Sequence, residues 1–95
     1  MDDNQPQLVP NAAQYQQVLT DLIKKQMVML GPNVALGQAR KVEGLTVGED
    51  GTVSAISGDP QAVLSAVAKQ YMALSGQIAQ MTLESIIAKY PGIKI

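Results

Sequence analysis

The sequence predicts a mainly helical α+β domain, and three observations lead to this prediction. Apolar residues recur at helical spacing over residues 11–30 and again over residues 59–90. Between these stretches, two short runs of β-forming residues flank a Gly-Glu-Asp-Gly turn. The chain has 95 residues, the size of one domain. We therefore expect a kinked N-terminal helix, a short second helix, one β-hairpin and a long C-terminal helix.

Residues 1–10 are predicted to form a disordered tail, because they are polar, contain two prolines and lack a hydrophobic period. A single helical domain is expected over residues 11–95. Its first helix begins at Asn11, an acceptable N-cap, and runs to Leu30. One face of this helix is largely apolar and the other is polar, which predicts an amphipathic helix. The positions on the first face are Tyr15, Val18, Leu19, Leu22, Ile23, Gln26 and Leu30.

The segment Gly31-Pro32-Asn33 interrupts the helical pattern. Glycine is a natural helix terminator, and Pro32 would clash with the carbonyl of Val28 in a continuous helix. Apolar residues resume after the break and continue to about Val42. We predict a break or strong kink at this segment, followed by a short second helix.

A β-hairpin is predicted at about residues 44–57. Its turn, Gly48 to Gly51, ends in Asp-Gly, which is a strong hairpin signal. An isolated two-stranded ribbon is only marginally stable, so it must lean on a helix or pair with a second ribbon. Simple pairing about the turn predicts two faces. Leu45, Val47 and Ile56 share one face, and Val53 and Ala55 share the other.

The C-terminal third, residues 59–90, is predicted to be one long helix that the upstream chain covers. Asp59 is a good N-cap and Pro60 a good first helical residue, whereas Tyr90-Pro91-Gly92 is a stop signal. About thirty residues would span roughly 45 Å. The helix is apolar on more than one side, which is typical of a helix buried on several sides.

A chain of this size has little else with which to cover such a helix, so the sequence predicts a homodimer. One helical stripe would remain exposed on a monomer, and soluble monomers rarely leave such a stripe in water. A two-fold axis would place this stripe against its copy. The predicted interface residues are Val67, Tyr71, Leu74, Ile78 and Met81.

Composition favours a non-catalytic protein. Histidine, cysteine, phenylalanine and tryptophan are absent, which removes the commonest general base, the thiolate nucleophile and the usual zinc ligands. The net charge of −1 gives no electrostatic reason to bind nucleic acid. The acidic N-terminus predicts no secretory signal, and polar residues interrupt the C-terminal helix too often for a membrane span. We therefore expect a cytoplasmic protein without a cofactor.

Few features suggest chemistry. The adjacent acids Glu49-Asp50 are too few for a calcium loop and favour turn formation. The basic pairs Lys24-Lys25 and Arg40-Lys41 form either a small basic patch for a phosphate or an acidic partner, or exposed helix charges. The leading interpretation is a homo-oligomeric interaction or regulatory module, which could also contact another protein. The alternative is a small-ligand-binding domain with a pocket near Gly31-Pro32, and an enzyme that uses carboxylates ranks third.

An internal echo relates residues 26–35 to residues 70–79 at an offset of 44, as expected for either duplication or chance. If the echo is real, Ser75-Gly76 marks a bend or a close backbone approach in the long helix.

The run Leu30-Gly-Pro-Asn-Val-Ala35 resembles a hydrophobic-Gly-Pro-x-hydrophobic-Ala motif of small helical accessory domains in bacterial, often cyanobacterial, signalling proteins. In those domains the motif joins two helices, although the hairpin here departs from their pattern. The resemblance implies a regulatory or assembly role and carries no catalytic residues.

Overall fold

The computed structural model describes residues 12–90 and Ile93. These residues form a mainly helical α+β fold, as predicted, with two helices before an antiparallel hairpin and two helices after it. The predicted tail at residues 1–10, the Asn11 cap and the Pro91-Gly92 stop signal lie outside the described residues. The elements are α1 (Ala12–Leu30), α2 (Pro32–Ala39), β1 (Leu45–Val47), β2 (Val53–Ile56), α3 (Pro60–Ser75) and α4 (Gln77–Ile87).

The central element is α1, not the C-terminal helix. α1 packs against α2, α3, α4 and β2, so its predicted face supplies the middle of the core. The C-terminal helices therefore cover α1. The sequence predicted the reverse, with the upstream chain covering the C-terminal helix. The residues of this face that are buried are Tyr15, Val18, Leu19, Leu22, Ile23 and Gln26.

The prediction of one continuous C-terminal helix is wrong, because Gly76 divides it into α3 and α4. The predicted start is confirmed: the Asp59 carboxylate accepts a hydrogen bond from the Gln61 backbone N–H at 3.2 Å, and Pro60 begins the helix. The break lies where the echo marks a bend. However, the glycines that follow α1 and α3 are 45 residues apart, so the offset of 44 pairs Gly76 with Pro32 rather than with Gly31.

The hairpin forms as predicted, but its two faces differ from the simple alternation. Thr46 pairs with Ala55 and Val47 pairs with Val53, so Ser54 is the extra residue of a β-bulge. The bulge turns Val53 to the buried face, where Val47 also lies. The prediction that Val53 faces away from Leu45, Val47 and Ile56 is therefore wrong.

The hairpin leans on α1 through its turn and its second strand. The Val53 backbone N–H donates to Thr20 Oγ1 at 2.9 Å. Gly51 has a φ of +88° and is buried, and a Cβ there would lie 2.7 Å from Met27 Sδ. The glycine thus satisfies both the turn conformation and the close approach to the helix.

The hydroxyl group of each of the three tyrosines forms a hydrogen bond to a residue of another element. Tyr15 donates to Gln61 Oε1 at 2.8 Å and so joins α1 to α3. Tyr90, after α4, lies 3.4 Å from Asp21 Oδ2 and 3.3 Å from Gln17 Oε1 on α1. Tyr71 joins α3 to α2 through a hydrogen bond to the Ala35 carbonyl.

Candidate interaction surface at the helix junctions

A single glycine forms each helix-to-helix junction. Gly31 lies between α1 and α2 with φ 93° and ψ 148°, and Gly76 lies between α3 and α4 with φ 61° and ψ −132°. These conformations are rarely open to residues that carry a Cβ. No atom lies within 4 Å of a Cβ built at either position. Glycine is therefore required at both junctions by the backbone conformation and not by crowding.

Two contacts link the helices that flank the two junctions. The Tyr71 hydroxyl, near the end of α3, donates to the Ala35 carbonyl in α2 at 2.8 Å. The Thr82 hydroxyl of α4 lies 3.9 Å from the Met29 sulfur of α1. Burial raises the pKa of Tyr71, so its hydroxyl stays protonated and remains a donor. Near the two junction glycines, α3 thus contacts α2 and α4 contacts α1.

The large apolar side chains that the described residues leave exposed are all within five residues of a junction glycine. They are 43% to 87% exposed. Each contributes on the order of 100 Å², so together they present on the order of 600 Å², at the upper end of the range for the largest apolar patch of a monomer. We call these six residues the junction surface: Val28, Met29, Val34, Leu74, Ile78 and Met81.

A shallow cleft of about 390 Å³ runs through the junction surface between α1 and α4. Lys25 is the one charged residue among those that line it, and it lies one helical turn before Val28 and Met29. The rest of the lining is apolar or bears hydroxyl groups. The lining residues are Lys25, Ile78, Met81, Thr82 and Ser85.

The structure divides the predicted interface stripe. Val67 and Tyr71 are fully buried in the core of one chain, so they are not available to a partner. Leu74, Ile78 and Met81 are 50%, 58% and 63% exposed and belong to the junction surface. Leu74 is already exposed on α3 before the break at Gly76, and after the break α4 turns residues other than Ile78 and Met81 towards the core. Those residues are Ala79, Leu83 and Ile86.

Val28, Met29 and Val34 also belong to the junction surface, although they are outside the predicted interface. The sequence does contain a signal for two of them: Val28 and Met29 are apolar but lie outside the apolar face of α1. On an amphipathic helix, an apolar residue on the polar side is a candidate contact residue.

Two buried polar side chains lie close to the junctions in sequence. Gln26 is fully buried, and among the described residues neither atom of its amide has a hydrogen-bond partner. The Ser75 hydroxyl, next to Gly76, is also buried without a partner there. Native proteins leave few such groups, because each is destabilising by about 1–3 kcal/mol. These two side chains are the buried polar groups near the junctions that the described residues leave without a hydrogen bond.

The other candidate sites serve the hairpin. Asp50 Oδ1 accepts a hydrogen bond from the Thr52 backbone N–H at 3.0 Å, which lowers the pKa of Asp50 and supports the turn. Arg40 Nη2 donates to the Val47 carbonyl at 3.4 Å, and Lys24 lies against the Gly51 turn. The described part of the chain contains no group of three histidine, cysteine, aspartate or glutamate side chains that could hold a metal ion.

The alternative expectation was a ligand pocket beside Gly31 and Pro32. It gains no support from four clefts in the structure, because neither residue lines any of them. The largest of the four, about 560 Å³, lies at the other end of α4. Its lining residues are Met72, Gln80, Leu83, Glu84, Ile87, Ala88 and Ile93.

Over residues 12–90, no helix is both long enough and apolar enough to cross a membrane. Comparison with protein-family models, curated proteins and solved structures gives no match to this chain.

Proposed function

We propose that this protein is a non-catalytic interaction module that forms a homodimer through the junction surface and serves a regulatory or assembly role. The observation that carries the proposal is the concentration of exposed large apolar side chains around Gly31 and Gly76. Exposed apolar residues scattered singly need no explanation, but six large ones within five residues of the two junction glycines support an interaction site.

A second copy of the chain is the partner that fits this surface best. A standard interface buries about 800 Å² on each partner, and the junction surface with a polar rim approaches that area. A two-fold axis would place the surface against itself, so two largely uncharged patches would need no matching charges. Lys25 of each copy lines the cleft in this surface, and its long side chain would let the ammonium reach water. Val28, the most exposed of the six, would gain most from burial.

The test is sedimentation velocity of the wild type and two glutamate variants at tens of micromolar. We expect a wild-type dimer and a monomeric Ile78→Glu variant, because an unpaired carboxylate at the centre of the interface is costly to desolvate. The matched control is Ala62→Glu, which places the same charge on an exposed position of the first turn of α3. A well-folded wild-type monomer, or an Ile78→Glu variant that remains dimeric, would contradict the proposal.

A further inference from the structure

The two junctions differ in whether they can straighten into a continuous helix. Pro32 follows Gly31, and proline disfavours the helical conformation in the residue before it. The proline ring would also clash with the Val28 carbonyl if α1 and α2 were continuous. Gln77 follows Gly76 and has no such restriction. The first junction is therefore fixed by its sequence, whereas the second is a hinge of one residue.

The backbone hydrogen bonds around Gly76 show that few of them must change for α3 and α4 to become one helix. Its N–H still donates to the Met72 carbonyl at 2.8 Å, so the helical ladder of α3 continues up to the hinge. α4 then begins without a side-chain cap, and the first N–H groups of an uncapped helix lack helical partners. If the Gly76 backbone rotated to helical φ and ψ values, these N–H groups would donate to the last carbonyls of α3.

A straightened hinge would also change the junction surface. The 16 residues of α3, Gly76 and the 11 residues of α4 would form one helix of roughly 42 Å. Leu74, Ile78 and Met81 are spaced by four and three residues, so they would form one stripe beside Gly76. Two such helices could cross at Gly76, where the absent side chain permits close approach, and bury each other's stripe.

Straightening removes α4 from its own α1, so the buried face of α4 must find an equivalent surface. The surface that matches it is the one vacated on a second copy. We infer that the homodimer forms by exchange of α4: each chain straightens at Gly76 and packs Ala79, Leu83 and Ile86 against the partner's core. This inference rests on the proposed homodimer and specifies how the second copy completes the fold.

The first arm of the test changes the hinge. Gly76→Ala penalises the broken conformation and favours the helical one, so we expect the dimer dissociation constant after refolding to fall at least tenfold. The matched control is Gly37→Ala, a change inside α2 at a position with nothing within 4 Å of the new Cβ. It adds helix propensity away from the hinge, so the dissociation constant should stay within about twofold of the wild type.

The second arm distinguishes an exchanged dimer from a side-by-side dimer. The chain contains no cysteine, so Gln17→Cys and Tyr90→Cys can be introduced together into an unreactive background. In one chain these positions meet through the Tyr90 hydroxyl and Gln17 Oε1 at 3.3 Å, and both lie about 20 Å along a helix from a junction. In an exchanged dimer, a short bismaleimide should join the thiol introduced on α1 of one chain to the thiol introduced after α4 of the partner. In a side-by-side dimer or a monomer, it should join the two thiols within one chain.

The outcomes separate the two proposals. A covalent dimer on a denaturing gel, for Gly76→Ala refolded at high concentration, supports the exchange. If the protein sediments as a dimer but runs on the gel as a monomer with an internal cross-link, the exchange is overturned and the proposed function stays in place. Folded monomers for the wild type, Gly37→Ala and Gly76→Ala overturn both. If Gly76→Ala does not fold, the same gel decides the question with the two cysteine substitutions in the otherwise wild-type chain.

Discussion

The buried amide of Gln26 gives the sharpest prediction about stability. This side chain is fully buried on α1, and neither amide atom has a hydrogen-bond partner among the described residues. Folding therefore removes the amide from water without replacing its hydrogen bonds, which costs about 1–3 kcal/mol. Methionine has a similar length, no strong polar group and an adaptable thioether. Gln26→Met should raise the free energy of unfolding by about 1–2 kcal/mol.

Chemical denaturation at a fixed protein concentration measures this change, and a thermal melt provides a second value. For a domain of this size, 1 kcal/mol corresponds to a shift of about 4–8 °C in Tm. Gln70→Met is the matched control: Gln70 is only partly buried on α3, and we expect a change within about 0.5 kcal/mol. If Gln26→Met lowers the free energy of unfolding by 1 kcal/mol or more, the amide has a partner in solution and the reasoning fails.

Two further predictions concern residues that position the hairpin and the junctions. Gly51→Ala should destabilise by about 2 kcal/mol or more, because it combines a φ of +88° with a Cβ that would lie 2.7 Å from Met27 Sδ and 3.0 Å from Lys24 Cγ, so that two side chains must move. Gly58→Ala, with φ +86° and open space, should lose only about 1 kcal/mol in the same denaturation assay. Equal losses would exclude crowding at Gly51. Tyr71→Phe should lose about 1 kcal/mol at pH 8, because the hydrogen bond to the Ala35 carbonyl is removed. Burial raises the pKa of Tyr71 in the folded state above the unfolded value of about 10, so this tyrosine's contribution is complete below pH 10 and is lost as the pH rises further. The wild type should therefore approach Tyr71→Phe in stability at alkaline pH, and a difference that widens above pH 10 would contradict this assignment.

Local sequence rules determined much of the fold. Asp59 and Pro60 begin α3 as predicted, and Gly31 with Pro32 separates α1 from α2. Gly51 has the positive φ that an Asp-Gly turn requires. These features depend on the conformational preferences of a few neighbouring residues, and such preferences are readable from a single chain.

The tertiary structure decided where the apolar stripe of the C-terminal segment goes. Residues around Gly76 are compatible with a continuous helix, so the sequence did not require the break there. In the folded chain, Ala79, Leu83 and Ile86 are buried after the break, and Leu74, Ile78 and Met81 are left exposed. The bulge at Ser54 similarly turned Val53 inward as the hairpin packed on α1. In both places the local sequence permits two arrangements, and burial against a distant element selects one of them.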